Sequence, residues 1–267
     1  MIHPPSRAET VLLTGCAALA AIALAAPALG QSVHYHQFAD ARGWLGLPNA
    51  ANVLSNLLFL LFGLYGWALL ARVRAAMGRV ELAGATVFFG GLLLTAAASS
   101  IYHWQPVDAT LALDRSAMAA AFAGLLALAT AGRVGSRAAV MLGVALLAAG
   151  PVSVWIWLES GNLLPWALVQ GGGMLLLVAL ALKSPLAGAL AVRWGWVVGI
   201  YAVAKVLEIA DQAVFDFTGA ALSGHSAKHV VAAFSALPVI FALNRRLRTA
   251  HNPQASAGAP PNQTTLA

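Results

Sequence analysis

The chain has 267 residues, of which 60% are hydrophobic and only 9% are charged. A water-soluble domain carries roughly 25% charged residues, so this composition excludes a soluble domain and is typical of a membrane protein with several spans. The formal charge of +6 comes from basic residues scattered between apolar segments, which favours topology signals over a nucleic-acid-binding surface. The single cysteine, Cys16, excludes an intrachain disulfide and a metal site built on cysteines.

The first apolar segment, residues 10–30, is rich in alanine and leucine and follows Arg7. It is either a spanning helix or a cleaved signal peptide, because Ala26-Pro27-Ala28 places small residues near its end. We favour a retained helix and treat residues 1–34 as an N-terminal hydrophobic segment. A polar loop follows over residues 31–51, and both alternatives place residue 31 outside the cytoplasm.

Seven further apolar segments approach the ~20 residues that cross a ~30 Å hydrocarbon core as a helix. Helices are expected because open strands cannot satisfy their backbone hydrogen bonds in lipid. The segments cover residues 52–71, 84–103, 114–132, 138–158, 165–182, 193–212 and 226–243. The sequence therefore predicts an all-α polytopic bundle of seven core helices over residues 35–248. A disordered tail, residues 249–267, is predicted from its Pro, Ala, Asn, Gln and Thr content.

Basic and acidic residues alternate between successive loops. The basic loops carry Arg72, Arg74 and Arg79, then Arg133 and Arg137, then Lys183 and Arg193, and finally Arg245, Arg246 and Arg248. The loops between them carry Asp108, Glu159 and Asp216, and Arg42 near Asp40 is the one basic exception. The positive-inside rule then predicts a cytoplasmic C-terminus and places the ends of the apolar segments near His103 and His225 at the non-cytoplasmic face.

Polar residues that interrupt the apolar segments are candidates for function, because ionisable groups inside a membrane are costly. Ser99 and His103 are four residues apart and share one face of a helix. Asp114 opens the next apolar segment, and His225 and His229 repeat the four-residue spacing at the start of the last one. Three histidines and a carboxylate at one membrane depth predict a metal site.

Zinc is the metal we expect. Two histidines at i and i+4 can direct both imidazoles at one ion, whereas a lone histidine near a helix end, such as His103 taken by itself, is as readily an interfacial group. Three neutral imidazoles with an open fourth position are typical of catalytic zinc. Asp114 is then a candidate for moving a proton to a leaving amine.

Ser99 has three interpretations. It can donate a hydrogen bond to a carbonyl oxygen as negative charge develops there. It can act as a nucleophile, although no free histidine base is evident beside it. It can also donate to the backbone of its own helix, which is a common role for serine in helices.

The remaining polar residues have default structural interpretations. Asn52, Ser55 and Asn56 share about one helix face and are expected to cap that helix or to bond to a neighbouring helix. Lys205, Glu208 and Asp211 follow at three-residue intervals, as an internal ion pair or as support for a metal-bound histidine. The other histidines, His3, His34, His36 and His251, are not expected to be metal ligands.

Four short stretches resemble the alkaline ceramidase family: NVLSN at 52–56, SSIYH at 99–103, Asp114-Arg115, and SGHSAKH at 223–229. That family belongs to a wider group of seven-helix membrane proteins that includes the adiponectin and progestin receptors. The resemblance extends from about residue 35 to residue 243. It implies a seven-helix bundle that hydrolyses the N-acyl amide of ceramide-like lipids to a fatty acid and a sphingoid base.

The resemblance also implies roles for the site residues. His103, His225 and His229 would hold an intramembrane zinc ion, Asp114 would be the acid/base and Ser99 would stabilise the oxyanion. Animal members carry an acidic calcium-binding loop before the first core helix. Here that loop offers Asp40 but has Asn49 where a glutamate is expected, so calcium binding is doubtful.

Two other classes of function remain open at this point. A receptor-like or lipid-binding protein of the same group would keep the metal site with little or no catalysis. A small transporter is disfavoured, because the sequence shows neither paired broken helices nor an internal repeat.

Overall fold

A computed structural model describes residues 4–251, and within that range the chain forms helices and no β-strand. In chain order the helices are α1 (Arg7–Ala25), α2 (Ala50–Leu54), α3 (Leu57–Val73), α4 (Arg79–Trp104), α5 (Asp108–Arg133), α6 (Ser136–Ser160), α7 (Leu164–Leu182), α8 (Trp194–Ile209), α9 (Asp211–Phe217), α10 (Gly224–Ala233) and α11 (Leu237–His251). An isolated β-bridge joins Trp44 and Leu47 in the polar loop.

Seven helical segments of the described chain are long and apolar enough to cross a membrane. They include α1, the α2–α3 segment and the α10–α11 segment, which confirms the predicted all-α polytopic fold. The predicted segment 193–212 differs, because it is divided into α8, with 16 residues, and the short α9. At 1.5 Å per residue α8 is about 24 Å long, less than the ~30 Å of a hydrocarbon core.

The N-terminal helix α1 begins at a capping box. Ser6 Oγ accepts a hydrogen bond from the Glu9 backbone N–H, and Glu9 Oε2 accepts one from the Ser6 backbone N–H. α1 packs beside α7, and Glu9 forms an ion pair of 2.7 Å with Arg137 at the start of α6. Most α1 side chains are exposed, and Leu12 is its one buried residue. Retention of this helix in the mature protein stays a prediction.

Glycines allow α4 and α5 to pack closely along their length. A Cβ atom on Gly91 of α4 would lie 2.2 Å from the backbone nitrogen of Ala121, and one on Gly124 of α5 would lie 2.2 Å from that of Phe88. Backbone atoms cannot yield to such a contact as a flexible side chain can, so the two helices would have to separate. Because α4 carries Ser99 and His103 and α5 carries Asp114, this spacing sets the distance between those side chains.

We expect Gly124→Ala to destabilise the detergent-solubilised protein by about 1–3 kcal/mol or more, the cost of overpacking a close-packed contact. The metal content of the purified protein should fall as well, because a shift of α4 away from α5 displaces His103, the ligand that α4 carries. Gly171→Ala in α7 is the matched control, since nothing lies within 4 Å of its added Cβ. That control should lose no stability, because alanine favours a helix. Equal thermal unfolding of the two variants would contradict this packing argument.

The two ends of the bundle differ in chemistry. Arg79 and His103 are 24 residues apart on α4, which is about 36 Å. At the Arg79 end, Arg246 Nη1 and Nη2 donate to the carbonyl oxygens of Ala76 and Gly188 at 3.1 and 2.6 Å. The loops that carry basic residues therefore gather at one end, and His103 lies at the other. The last helix continues to His251, and residues 252–267 of the predicted tail lie outside the described part of the chain.

A reporter fused after Arg248 should be active only in the form that requires a cytoplasmic location. The reason is the alternation of basic and acidic loops, with the basic loops gathered at the end where Arg246 lies. Paired reporters, one active in the cytoplasm and one active after export, measure this directly. Strong activity of the exported-type reporter at that position would overturn the predicted orientation.

Candidate metal centre

Three histidines from two helices converge at one end of the bundle. His103 lies in the last turn of α4, and His225 and His229 lie on α10. One nitrogen from each ring lies within 4.8 Å of the corresponding nitrogens of the other two. Two nitrogens bound to one zinc ion, each at about 2.1 Å, are at most about 4.2 Å apart. At most a small rotation of the rings therefore closes the set around an ion, and the three histidines can bind a metal.

The hydrogen bonding of these rings fits a metal site. His103 Nδ1 and His225 Nε2 are buried and have no hydrogen-bond partner among the described residues. A buried polar atom left unpaired costs about 1–3 kcal/mol, and a bound cation removes that cost by accepting the nitrogen lone pair. The orphaned nitrogens therefore suit a metal that prefers imidazole.

The third ring, His229, is oriented by Ser55. Ser55 Oγ lies 2.8 Å from the carbonyl oxygen of Asn52 and 2.8 Å from His229 Nδ1. The hydroxyl has one proton, which it donates to the carbonyl, so it accepts a hydrogen bond from His229 Nδ1–H. His229 then keeps its Nε2 lone pair for a metal, as metal-bound histidines usually do. For Ser55 the sequence predicted a helix cap or a bond to a neighbouring helix, and this bond to α10 is of the second kind; nothing in NVLSN identifies His229 as the partner.

Asp211 and Ser226 hold the start of α10 in place. Asp211 Oδ1 accepts a hydrogen bond of 2.7 Å from the backbone N–H of His225, and Oδ2 accepts one of 3.0 Å from that of Ala39. Ser226 Oγ donates to Asn52 Oδ1 at 2.7 Å. The sequence predicted that Asp211 could support a metal-bound histidine. Asp211 does contact His225, but through the backbone N–H and not through the imidazole.

Ser99 and Asp114 lie beside the histidines in the same cavity. Both are buried, at 2% and 7% exposure. The Ser99 side chain lies close enough to the Asp114 carboxyl group to interact with it, while Asp114 Oδ1 has no hydrogen-bond partner in the described chain. Donation to its own helix is instead found at the neighbouring Ser100, whose hydroxyl donates to Ala96 O at 2.7 Å. The structure therefore brings all five predicted site residues together.

An apolar cavity of about 170 Å³ extends from the histidines into the bundle. Its walls include Leu92 on α4 and Leu125 on α5, which are 11 residues from His103 and Asp114 respectively. That separation is about 16 Å along each helix. The histidines, Asp114 and Ser99 thus lie at one end of this apolar cavity.

The polar loop covers the histidines from the end of the bundle. The Phe38 ring lies 4.8 Å from the His103 ring and 4.7 Å from the His225 ring, between centroids. His36 joins the loop to the helices through hydrogen bonds of 3.1 Å to Tyr102 Oη and to Asp108 Oδ1. Sequence reasoning missed Phe38 and Tyr102, because an aromatic residue in a loop or an apolar segment carries no distinguishing signal.

The two loop residues considered for calcium are engaged by protein groups. Both carboxylate oxygens of Asp40 accept hydrogen bonds from Arg42, at 2.7 and 2.8 Å. That guanidinium holds the pKa of Asp40 below its ordinary value. Asn49 Nδ2 donates to the carbonyl oxygen of His103 at 2.9 Å, so Asn49 connects the loop to a candidate ligand.

A cluster of three charged residues lines the wall of the cavity. The predicted Lys205–Glu208 ion pair is present, and Glu208 Oε1 also accepts a hydrogen bond of 2.6 Å from Lys228 Nζ. Lys228 belongs to α10, between His225 and His229. The sequence assigned Lys228 no role, although a lysine inside an apolar segment is a signal for one.

Comparison with known proteins adds no assignment to this geometry. No protein-family model matches the chain, and no curated protein sequence matches it significantly.

Proposed function

We propose that this protein is a zinc-dependent intramembrane amidohydrolase that cleaves the N-acyl amide of ceramide-like lipids. The observation that carries the proposal is the convergence of three histidine nitrogens within 4.8 Å, in one cavity with Asp114 and Ser99. The resemblance of SSIYH, Asp114-Arg115 and SGHSAKH to the alkaline ceramidase family points to the same chemistry.

Zinc is the metal that the donor set favours. The candidate ligands are three imidazole nitrogens with no thiolate, and three histidines with one open position are typical of catalytic zinc. When bound, a zinc ion lowers the pKa of its water to about 7 and polarises a carbonyl group. His103, His225 and His229 would hold it.

Asp114 is positioned to move protons in this reaction. Its Oδ1 atom has no partner in the described chain, so it is free to accept a proton from the attacking water. The carboxylic acid then donates that proton to the amine nitrogen as the C–N bond breaks. One residue thereby serves as base and then as acid.

Ser99 is positioned to stabilise charge on the carbonyl oxygen. Its side chain lies near Asp114 and lines the same cavity as the histidines, and rotation about its Cα–Cβ bond would direct the O–H at a substrate carbonyl. A preorganised donor at this position gains strength as negative charge develops on the oxygen. The low exposure of Ser99, 2%, keeps competing water away.

The apolar cavity supplies the binding site for the acyl chain. Its walls at Leu92 and Leu125 lie about 16 Å from the polar residues. An acyl chain placed there would leave the amide beside His103, Asp114 and Ser99. A lipid therefore fits the cavity better than a soluble amide does.

A panel of N-acyl lipids tests this function. Purified protein should release fatty acid from at least one of them, measured by mass spectrometry. A chelator should abolish the release, and added zinc should restore it. The matched control is the His225→Ala/His229→Ala variant, which should release none. Release that a chelator leaves intact would contradict zinc dependence. Lipid binding without any release would favour the receptor-like alternative.

A further inference from the structure

Arg115 is a buried arginine inside a helix that is long and apolar enough to cross a membrane. It follows Asp114 on α5, is only 3% exposed and lines the same cavity as the three histidines. Its guanidinium carbon lies 4.2 Å from the centre of the Trp157 ring and 5.1 Å from that of Tyr35. Both aromatic faces help to hold the cation in place.

The hydrogen bonds of this guanidinium are incomplete. Nη2 donates to Gln31 Oε1 in the polar loop. Nη1 is buried and has no hydrogen-bond partner among residues 4–251. Anchoring the polar loop accounts for Nη2, which donates to Gln31, and for the contact of the guanidinium with the Tyr35 ring. It leaves Nη1, a charged donor beside the cavity, without a function.

The charged side chains that line the cavity also include more cations than acids. The cations that line it are Arg115, Lys205 and Lys228, and the acids are Asp114 and Glu208. Glu208 contacts both lysines, of which Lys205 is 42% exposed and Lys228 is 17% exposed, so the lysine and arginine side chains that line the cavity outnumber the acids by one. An uncompensated buried charge is costly within a membrane protein. An anion from the substrate would supply the missing partner.

Building on the proposed function, we propose that the preferred lipid has an anionic oxygen group, a carboxylate or a phosphate, near its amide, and that Arg115 binds this group through Nη1. A guanidinium matches the oxygens of both groups and makes stronger hydrogen bonds to them than to a neutral hydroxyl. A neutral ceramide would satisfy Nη1 with a hydroxyl at best and would leave the excess charge in place.

Equilibrium binding to the zinc-loaded wild-type protein in detergent tests the charge preference. Three lipids with the same acyl chain are compared: N-acylglycine for the carboxylate, ceramide 1-phosphate for the phosphate, and ceramide as the neutral lipid. We expect at least one anionic lipid to bind on the order of tenfold to a hundredfold more tightly than ceramide, as for a hydrogen bond to a charged group. The arm that binds more tightly identifies the anion.

Variants then assign the preference to Arg115. Arg115→Gln should reduce the ratio of anionic to neutral affinity to about one, and Arg115→Lys should retain part of it. Arg42→Gln is the matched control, because Arg42 also holds the polar loop, through Asp40, but does not line the cavity. That control should keep the wild-type ratio, which a merely structural effect on the loop would not predict.

Equal affinity of the wild type for all three lipids would overturn the proposal, and this result needs no variant to fold. An unchanged ratio in Arg115→Gln would overturn it as well. These outcomes are distinct from failure of the proposed function. If the anionic preference is present but no lipid in the panel is hydrolysed, the anion site stands and the amidohydrolase assignment falls.

Discussion

The His225→Ala/His229→Ala variant is expected to lose its metal, while the wild-type protein should contain about one zinc ion per chain. Two of the three candidate ligands are removed, and one imidazole by itself does not make a zinc site. Elemental analysis of the purified proteins measures the zinc content. His36→Ala is the control, because His36 bonds to Tyr102 and Asp108 and is not among the converging ligands.

A graded effect is expected at Ser55. Ser55→Ala keeps all three histidines but removes the oxygen that accepts a hydrogen bond from His229 Nδ1. Loss of such a partner typically lowers metal affinity by about 10–100-fold. If the double histidine variant retains a full zinc content, the metal is bound elsewhere and the proposed centre is wrong.

The residues that the structure brings together in the cavity each carry a local signal in the sequence. Two i,i+4 pairs, Ser99 with His103 and His225 with His229, stand out in apolar segments where ionisable groups are costly. The alternation of basic and acidic loops placed the helix ends that carry them at one level. Their convergence in space then followed from the antiparallel helices of a bundle.

The partners of the surrounding polar residues could not be predicted, because they depend on packing between distant segments. Ser55 and His229 are separated by 174 residues, and Asn52 contacts Ser226 over the same separation. The spacing of the serine and asparagine residues in NVLSN is equally compatible with a helix cap. The partner of Arg115 could not be predicted either, since Gln31 belongs to a segment 84 residues away.

The division of the predicted segment 193–212 has a tertiary cause as well. Asp211 begins α9 and directs its carboxylate to two backbone N–H groups, those of Ala39 and His225. Hydropathy treats this region as one apolar run, because α8 and the residues after it are mostly hydrophobic. The break positions Asp211 at the level of the histidines, so it serves the site rather than the span.

We expect Asp114→Asn to reduce amide hydrolysis by about 10²–10⁴-fold while the protein keeps its zinc. Asp114 lies at the site but is not needed as a ligand, because three histidines already converge there. Asparagine preserves the shape of the side chain and removes its ability to take and return a proton, a contribution of about 10²–10⁴ in rate. Turnover of the best lipid substrate and zinc content are measured on the same preparation.

Two further variants test whether Asp114 transfers the proton. Asp108→Asn, on the same helix but 61% exposed and bonded to His36, should leave turnover nearly unchanged. Ser99→Ala should lower turnover by about 10²–10³-fold, the loss expected for one oxyanion donor. If Asp114→Asn loses its zinc, the aspartate is a ligand and the assignment of roles fails. If it keeps both zinc and near-normal turnover, the proton must move through another group, and Asp114 is excluded as the acid/base.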